Sequence, residues 1–149
     1  LGPDAPQLLV IGQRGWESEQ AVDLLERGEL GDAVIEIGGC DDAELAGYLH
    51  SARALLFPSL VEGFGMPLIE ALRAGVPAIV SDLPVFREIG QGVPDLIEPL
   101  DGPAWERAIL EYADEDGALR KSQLRRLARF RAPTWEDHFA KVDSWLATL

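Results

Sequence analysis

The chain predicts an α/β fold: a Rossmann-like, doubly wound parallel sheet with helices on both faces. Three observations carry this expectation. Short apolar runs alternate with helical patterns along the sequence. The runs are continuous in Leu, Val and Ile instead of alternating with polar residues, as parallel strands covered on both faces require. With 149 residues, 47% hydrophobic and 26% charged, the chain has the composition of one globular domain able to bury a core.

The apolar runs place strands over 7–11, 33–37, 54–57, 78–80 and 95–97, and helical patterns fill 18–27, 42–51, 67–74, 85–89, 103–114, 119–131 and 135–149. Ligands of such a sheet belong at the carboxyl ends of the strands, here the loops after Ile11, Ile37, Phe57 and Val80. Gly12-Gln13-Arg14-Gly15-Trp16 follows the first strand. It reads as a tight βα turn with Trp16 packing at the domain edge, or as a loop whose N–H groups or Arg14 approach a ligand. After the second strand comes Gly38-Gly39-Cys40-Asp41-Asp42. Its glycines allow a flat ring to approach closely, and Asp41 or Asp42 is the expected N-cap of the next helix. Ser81-Asp82-Leu83-Pro84 reads first as a cap on the fourth helix. The tail carries the only basic cluster, Arg120, Lys121, Arg125, Arg126, Arg129 and Arg131, either a solvated helix face or a contact surface. Thr134 and Asp137 approximate a capping box for the last helix. There Trp135, Phe139, Val142, Trp145, Leu146 and Leu149 form an apolar stripe.

Glu62-Gly63-Phe64-Gly65-Met66-Pro67-Leu68-Ile69-Glu70 is the most informative stretch. Two carboxylates stand eight residues apart around a Gly-x-Gly loop, just after the strand that ends at Phe57. Pro67 suits the first helical position, where its missing N–H would lack an intrahelical partner anyway. Strand, glycine loop and helix N-terminus make an anion site from backbone N–H groups. The carboxylates cannot serve the anion, but they can accept hydrogen bonds from hydroxyls on either side of it. A phosphate with hydroxyls at both ends describes a nucleoside diphosphate sugar. Glu70 falls in the first turn, where the helix dipole favours a carboxylate by roughly 0.3–1 kcal/mol. Its neighbours Met66, Leu68, Ile69, Ala71 and Leu72 are apolar. The helix therefore reads as buried, and Glu70 is expected to have a dedicated donor. A plain strand–loop–helix turn, with Glu62 solvated and Glu70 serving only the dipole, accounts for the same spacing.

Glu-x7-Glu with an internal Gly-Phe-Gly resembles the donor-site motif of retaining GT-B glycosyltransferases of the family 4 type. The similarity runs from Leu8 to about Gly102, through Leu8-Leu9-Val10-Ile11-Gly12, Gly39-Cys40-Asp41-Asp42, Pro58-Ser59, Ala74-Gly75-Val76-Pro77 and Ser81-Asp82-Leu83-Pro84. It implies the C-terminal half of a GT-B enzyme: a donor-binding domain over 1–132 and a terminal helix over 133–149 that packs towards an N-terminal domain. The implied donor contacts are Gly63, Phe64, Gly65, Met66 and Glu70, the backbone at Gly39 and Cys40 beside the base, and Arg14 near the phosphates or the interdomain cleft. Glu62 is the implied catalytic residue. The implied reaction moves a sugar from a nucleoside diphosphate sugar to an acceptor in polysaccharide or glycoconjugate assembly, without metal or other cofactor. Gly-x-Arg-Gly-Trp after the first strand is similar to mannosyl- and rhamnosyltransferases of bacterial polysaccharide assembly, which leans the donor towards GDP-mannose. In this family an earlier strand–helix unit supplies an Arg and a Lys to the diphosphate, and neither is in this sequence. Residues 1–6 read like a helix end running into a strand. The chain is therefore expected to be part of a larger enzyme and inert alone, since domain closure completes such sites.

Composition bounds the alternatives. A net charge of −13 argues against nucleic acid or anionic lipid as a partner of this piece. An anionic donor must then be held by local N–H groups and the helix dipole, with salt screening the remaining charge beyond about 8 Å. The single cysteine, Cys40, excludes an internal disulfide and suits a cytoplasmic setting, with membrane contact only through the full-length protein as a peripheral enzyme at the inner face. No apolar run reaches the ~18 residues of a membrane span. His50 and His138 lack metal-ligand spacing, Cys40 has no base beside it, Ser59 has no nucleophile elbow, and no Asp-x-Asp stands at a strand end. A phosphorylase on this scaffold would need a cofactor lysine, yet Lys121 and Lys141 lie in the tail. A nucleotide-sugar epimerase on the same scaffold stays open, as does a non-catalytic nucleotide-binding or interaction domain, against which the intact Glu62/Glu70 pair speaks.

Overall fold

The computed structural model describes residues 6–15, 19–27 and 33–149. Trp16 and residues 1–5, on which two of the readings above rest, lie outside them. The chain forms two units, Leu1–Ser51 and Ala52–Leu149.

In the first unit, β1 (Leu8–Ile11), α1 (Glu19–Arg27), β2 (Val34–Ile37) and α2 (Asp42–Ser51) follow in order. β1 and β2 pair in parallel, Leu8 opposite Val34 and Ile11 opposite Ile37. The Gly12 N–H donates to the Ile37 carbonyl at 2.9 Å, one step beyond the strand. Asp41 caps α2: its Oδ1 accepts from the Glu44 N–H at 2.8 Å, and Glu44 Oε2 accepts from the Asp41 N–H at 3.0 Å. This reciprocal pair satisfies two donors that the helix cannot serve itself.

The second unit holds β3 (Leu55–Phe57), α3 (Met66–Arg73), β4 (Ala78–Ser81), α4 (Pro84–Ile89), β5 (Asp95–Ile97), α5 (Gly102–Ala113), α6 (Ala118–Leu127) and α7 (Trp135–Leu146). Its strands form a parallel sheet in the order β3-β4-β5. Successive residues of a strand serve opposite faces, and both faces are covered. Ala78 and Val80, with Leu55, Phe57 and Leu96, pack against Leu68, Ile69 and Leu72 of α3, Phe86 of α4, and Leu127 and Phe130. Ile79, with Ala54, Leu56 and Ile97, packs against Trp105, Ala108 and Tyr112 of α5. The fold class is the expected one, although the five strands ladder as a two-stranded and a three-stranded sheet.

The central strand has a side chain for a neighbour. β5 begins opposite Ile79, one residue beyond Ala78. Gln123 of α6, fully buried, fills the gap. Its carbonyl accepts from the Ala78 N–H, and its Nε2 donates to the Ala78 carbonyl at 2.9 Å and to the Tyr112 hydroxyl at 2.6 Å. That hydroxyl donates to Asp95 Oδ2 at 2.6 Å, and Arg126 pairs with the same carboxylate. Burial, reinforced by the Asp95 carboxylate, pushes the Tyr112 phenol well above its ordinary range. The basic tail is thus partly structural: Arg126 also donates to the Val93 carbonyl, Arg120 to the Arg53 carbonyl, and Lys121 pairs with Asp116.

Several boundaries differ by one to a few residues from the sequence expectation. α6 stops at Leu127, not 131, because the chain turns so that Phe130 enters the core. α7 stops at Leu146, not 149. α3 starts at Met66, placing Pro67 one position later than expected. The Thr134–Asp137 capping box of α7 forms, and no residue of α7 is buried. Trp135, Phe139, Trp145 and Leu146 of its apolar stripe are exposed.

Candidate functional site

The loop of residues 58–65 joins the carboxyl end of β3 to the start of α3. Its last residue, Gly65, is the N-cap, at φ 90° and ψ 47°. That left-handed conformation is costly for a residue with a Cβ. The space is closed as well: a Cβ on Gly65 would stand 2.6 Å from Phe86 Cε1. Gly65 is therefore required by the fold. Gly63 is not, since its φ is not positive and a Cβ there would meet nothing within 4 Å. The Gly65 carbonyl accepts from the Leu68 N–H at 3.0 Å. Pro67 has no N–H and the Ile69 N–H also donates to the Gly65 carbonyl, at 3.5 Å, so in the first turn of α3 only the Met66 N–H lacks an intrahelical acceptor.

Glu62 is half-buried, and its Oε1 accepts from the Gly63 N–H at 3.1 Å. Glu70 is exposed, which corrects the expectation of a buried carboxylate with a dedicated donor. The reason is the orientation of α3. Leu68, Ile69, Ala71 and Leu72 face the sheet, while Met66, Glu70 and Arg73, spaced by four and three residues, face outward. Among the described residues neither carboxylate is paired with a cation. Phe64 and Met66 are exposed beside them.

Two further strand ends belong to the first unit. After β2, Gly39 is exposed and Cys40 is half-buried as a free thiol. Gly38 and Gly39 have neither a positive φ nor a neighbour within 4 Å of a would-be Cβ. After β1, Arg14 is held in ion pairs on its own unit. Its guanidinium binds Glu36 through Nε at 3.1 Å and Nη2 at 3.2 Å, and Glu26 through Nη1 at 2.7 Å. The side chain stays half exposed beside these two carboxylates. Asp82 does not cap α4, whose N-cap is Leu83. It receives a two-pronged ion pair from Arg87 instead, at 2.6 and 2.5 Å. No group of three or more His, Cys, Asp or Glu among the described residues is arranged to hold a metal.

Sequence reasoning missed Phe86, which packs on the loop from the fourth helix; in sequence it is one more apolar residue at a core position.

A family model for glycosyl transferases group 1 matches residues 4–111. The chain belongs to this family. Over 130 residues it is 31% identical to O-antigen chain mannosyltransferase B of Escherichia coli. Over 129 residues it is 40% identical to O-antigen chain mannosyltransferase RfbU of Salmonella typhimurium. Each alignment covers 87% of this chain and 34% of the relative, so the chain spans about a third of the length of these glycosyltransferases. Among solved structures, sucrose-phosphate synthase of Thermosynechococcus elongatus superposes with a TM-score of 0.68 at 26% identity, over 95% of this chain and 39% of that one. The family match includes the Glu62–Glu70 stretch and the turn at Gly39 and Cys40, and the α/β architecture is that of the C-terminal half of GT-B glycosyltransferases.

Proposed function

We propose that this chain is the donor-binding part of a retaining glycosyltransferase, which moves a sugar from a nucleoside diphosphate sugar to an acceptor in polysaccharide assembly. The observation that carries the reading is Gly63. It sits in a loop at a strand's carboxyl end, between two carboxylates without cation partners, and nothing in the fold requires it to lack a side chain. A glycine with no conformational or packing duty suits the close approach of a ligand to the backbone.

In this reading the loop N–H groups up to Met66 and the helix dipole hold the diphosphate. Gly63, Phe64, Gly65 and Met66 line it. Glu70, exposed on the outer face of α3, accepts from the ribose hydroxyls. Glu62 meets the transferred sugar or the positive charge that develops near its anomeric carbon, the kind of fixed electrostatic complement that lowers a barrier. The backbone at Gly39 and Cys40 meets the base. The named activity of the relatives above favours a mannose donor such as GDP-mannose. The diphosphate is served without a metal; an earlier strand–helix unit supplies further cations to it, and the acceptor site belongs to an N-terminal domain of the same enzyme. The enzyme works in the cytoplasm, touching the inner membrane face only peripherally. No helix among the described residues is long and apolar enough to cross a membrane.

Titration with GDP, UDP and their sugars, followed by amide NMR, tests the reading. Shifts at Gly63 to Met66 and Gly39 to Asp41 are expected. Shifts confined to α6 and α7 refute it.

A further inference from the structure

We infer that Phe86 is a positioning residue for the donor loop, holding both of its ends on one aromatic ring. At the start of the loop, Phe57 is the last residue of β3, and its ring lies 5.1 Å from that of Phe86, tilted by 43°. At the end of the loop, a Cβ on Gly65 would stand 2.6 Å from Phe86 Cε1 and 3.2 Å from Cδ1, so the Gly65 backbone lies directly on the ring. Phe86 itself is fully buried. The segment between these two contacts carries Glu62, Gly63 and Phe64, and its own atoms give it little support, since Leu60, Val61 and Phe64 are exposed.

The ring can act as a reference point only if α4 is itself fixed. α4 has six residues and no side-chain cap, too short to be stable alone. It is tied at both ends. Arg87 pairs with Asp82 just beyond the end of β4, at 2.6 and 2.5 Å. At the other end Gly90 packs on the chain that follows: a Cβ there would stand 2.7 Å from Pro94 Cγ and 2.8 Å from Pro94 Cδ. The position of the Met66 N–H relative to Glu62 is thus set by a residue that touches no ligand. Preorganised donors need such support, because a displacement of about 1 Å can cost up to 10²-fold in rate.

The consequence for the donor rests on the function proposed above; the consequence for the loop does not. The test compares Phe86→Leu with Val93→Ala, which thins the same core cluster at a side chain that is not among the atoms nearest a Cβ at Gly65. Both are measured without denaturant, where circular dichroism shows each variant folded. Phe86→Leu is expected to speed amide hydrogen exchange at Gly65 and neighbouring loop residues relative to Val93→Ala. It is also expected to weaken GDP binding roughly tenfold, the loss of about one well-aligned charged hydrogen bond. Arg87→Gln, which breaks the ion pair between α4 and Asp82, should shift both readouts in the same direction. Equal loop exchange in Phe86→Leu and Val93→Ala overturns the positioning role. If the parent protein binds no nucleotide, the donor reading falls, and the exchange comparison still decides whether Phe86 holds the loop.

Discussion

Gly63 and Gly65 stand two residues apart in one motif, and the structure assigns them opposite sensitivities to alanine. At Gly65 the new Cβ meets two penalties. The backbone at φ 90° costs a residue with a side chain about 1–2 kcal/mol. The clash at 2.6 Å with the fully buried Phe86 ring adds the usual overpacking cost of about 1–3 kcal/mol. Gly65→Ala should therefore lose about 2–5 kcal/mol, a large part of the roughly 5–15 kcal/mol that holds a typical domain folded. At Gly63 neither penalty applies. Gly63→Ala should be neutral, or stabilising by about 0.4–1 kcal/mol through the narrower unfolded ensemble. Urea denaturation measures both. Nucleotide titration then separates packing from function: Gly63→Ala should bind GDP more weakly than the parent at undiminished stability, because its methyl group occupies space reserved for the ligand. A Gly63→Ala variant as unstable as Gly65→Ala, or one that binds GDP as the parent does, refutes the reasoning.

Other outcomes follow from the same geometry. In the enzyme that carries both halves, Glu70→Ala should weaken nucleoside diphosphate binding by about 1.5–3 kcal/mol, the worth of one charged hydrogen bond. Glu62→Ala should lower turnover more than affinity, and equal effects of both variants on both quantities would contradict the division of roles. Gln123→Leu should cost about 2–5 kcal/mol in urea denaturation, since it strands the buried N–H and carbonyl of Ala78 at about 1–3 kcal/mol each; a loss below about 1 kcal/mol would show that β4 finds other partners. Tyr112 is held neutral by the fold, its pKa raised. Its contribution is therefore complete below the ordinary tyrosine value near 10 and is lost as the pH rises above it, by up to about 1.4 kcal/mol per pH unit. Denaturation series at alkaline pH should show that limb in the parent and not in Tyr112→Phe. Sugar transfer by the two-domain enzyme should survive EDTA, and a strict requirement for Mg²⁺ or Mn²⁺ would overturn the metal-free reading.

The sequence alone determined the fold class and the location of the candidate site. Both depend on local pattern. Continuous apolar runs mark parallel strands, and a glycine loop before a proline marks a strand end turning into a helix. Those signals lie within a few residues of each other, as do the Thr134–Asp137 and Asp41–Glu44 caps. Tertiary structure alone decided which face each element shows and what it meets. Glu70 looked buried because its neighbours are apolar, yet α3 turns those neighbours to the sheet and leaves the carboxylate outside. Arg14 gave no sign in the sequence of its ion pair with Glu36, twenty-two residues on. Asp82 looked like a cap until Arg87 reached back to it. Gln123 reads as one polar residue in a basic helix, and its bonds to Ala78 span forty-five residues. Gly63 and Gly65 are identical letters; only the position of the Phe86 ring distinguishes the glycine the fold requires from the one it leaves open. Such contacts join distant segments by packing, and packing depends on the summed shape of the whole chain, which no short window of sequence contains.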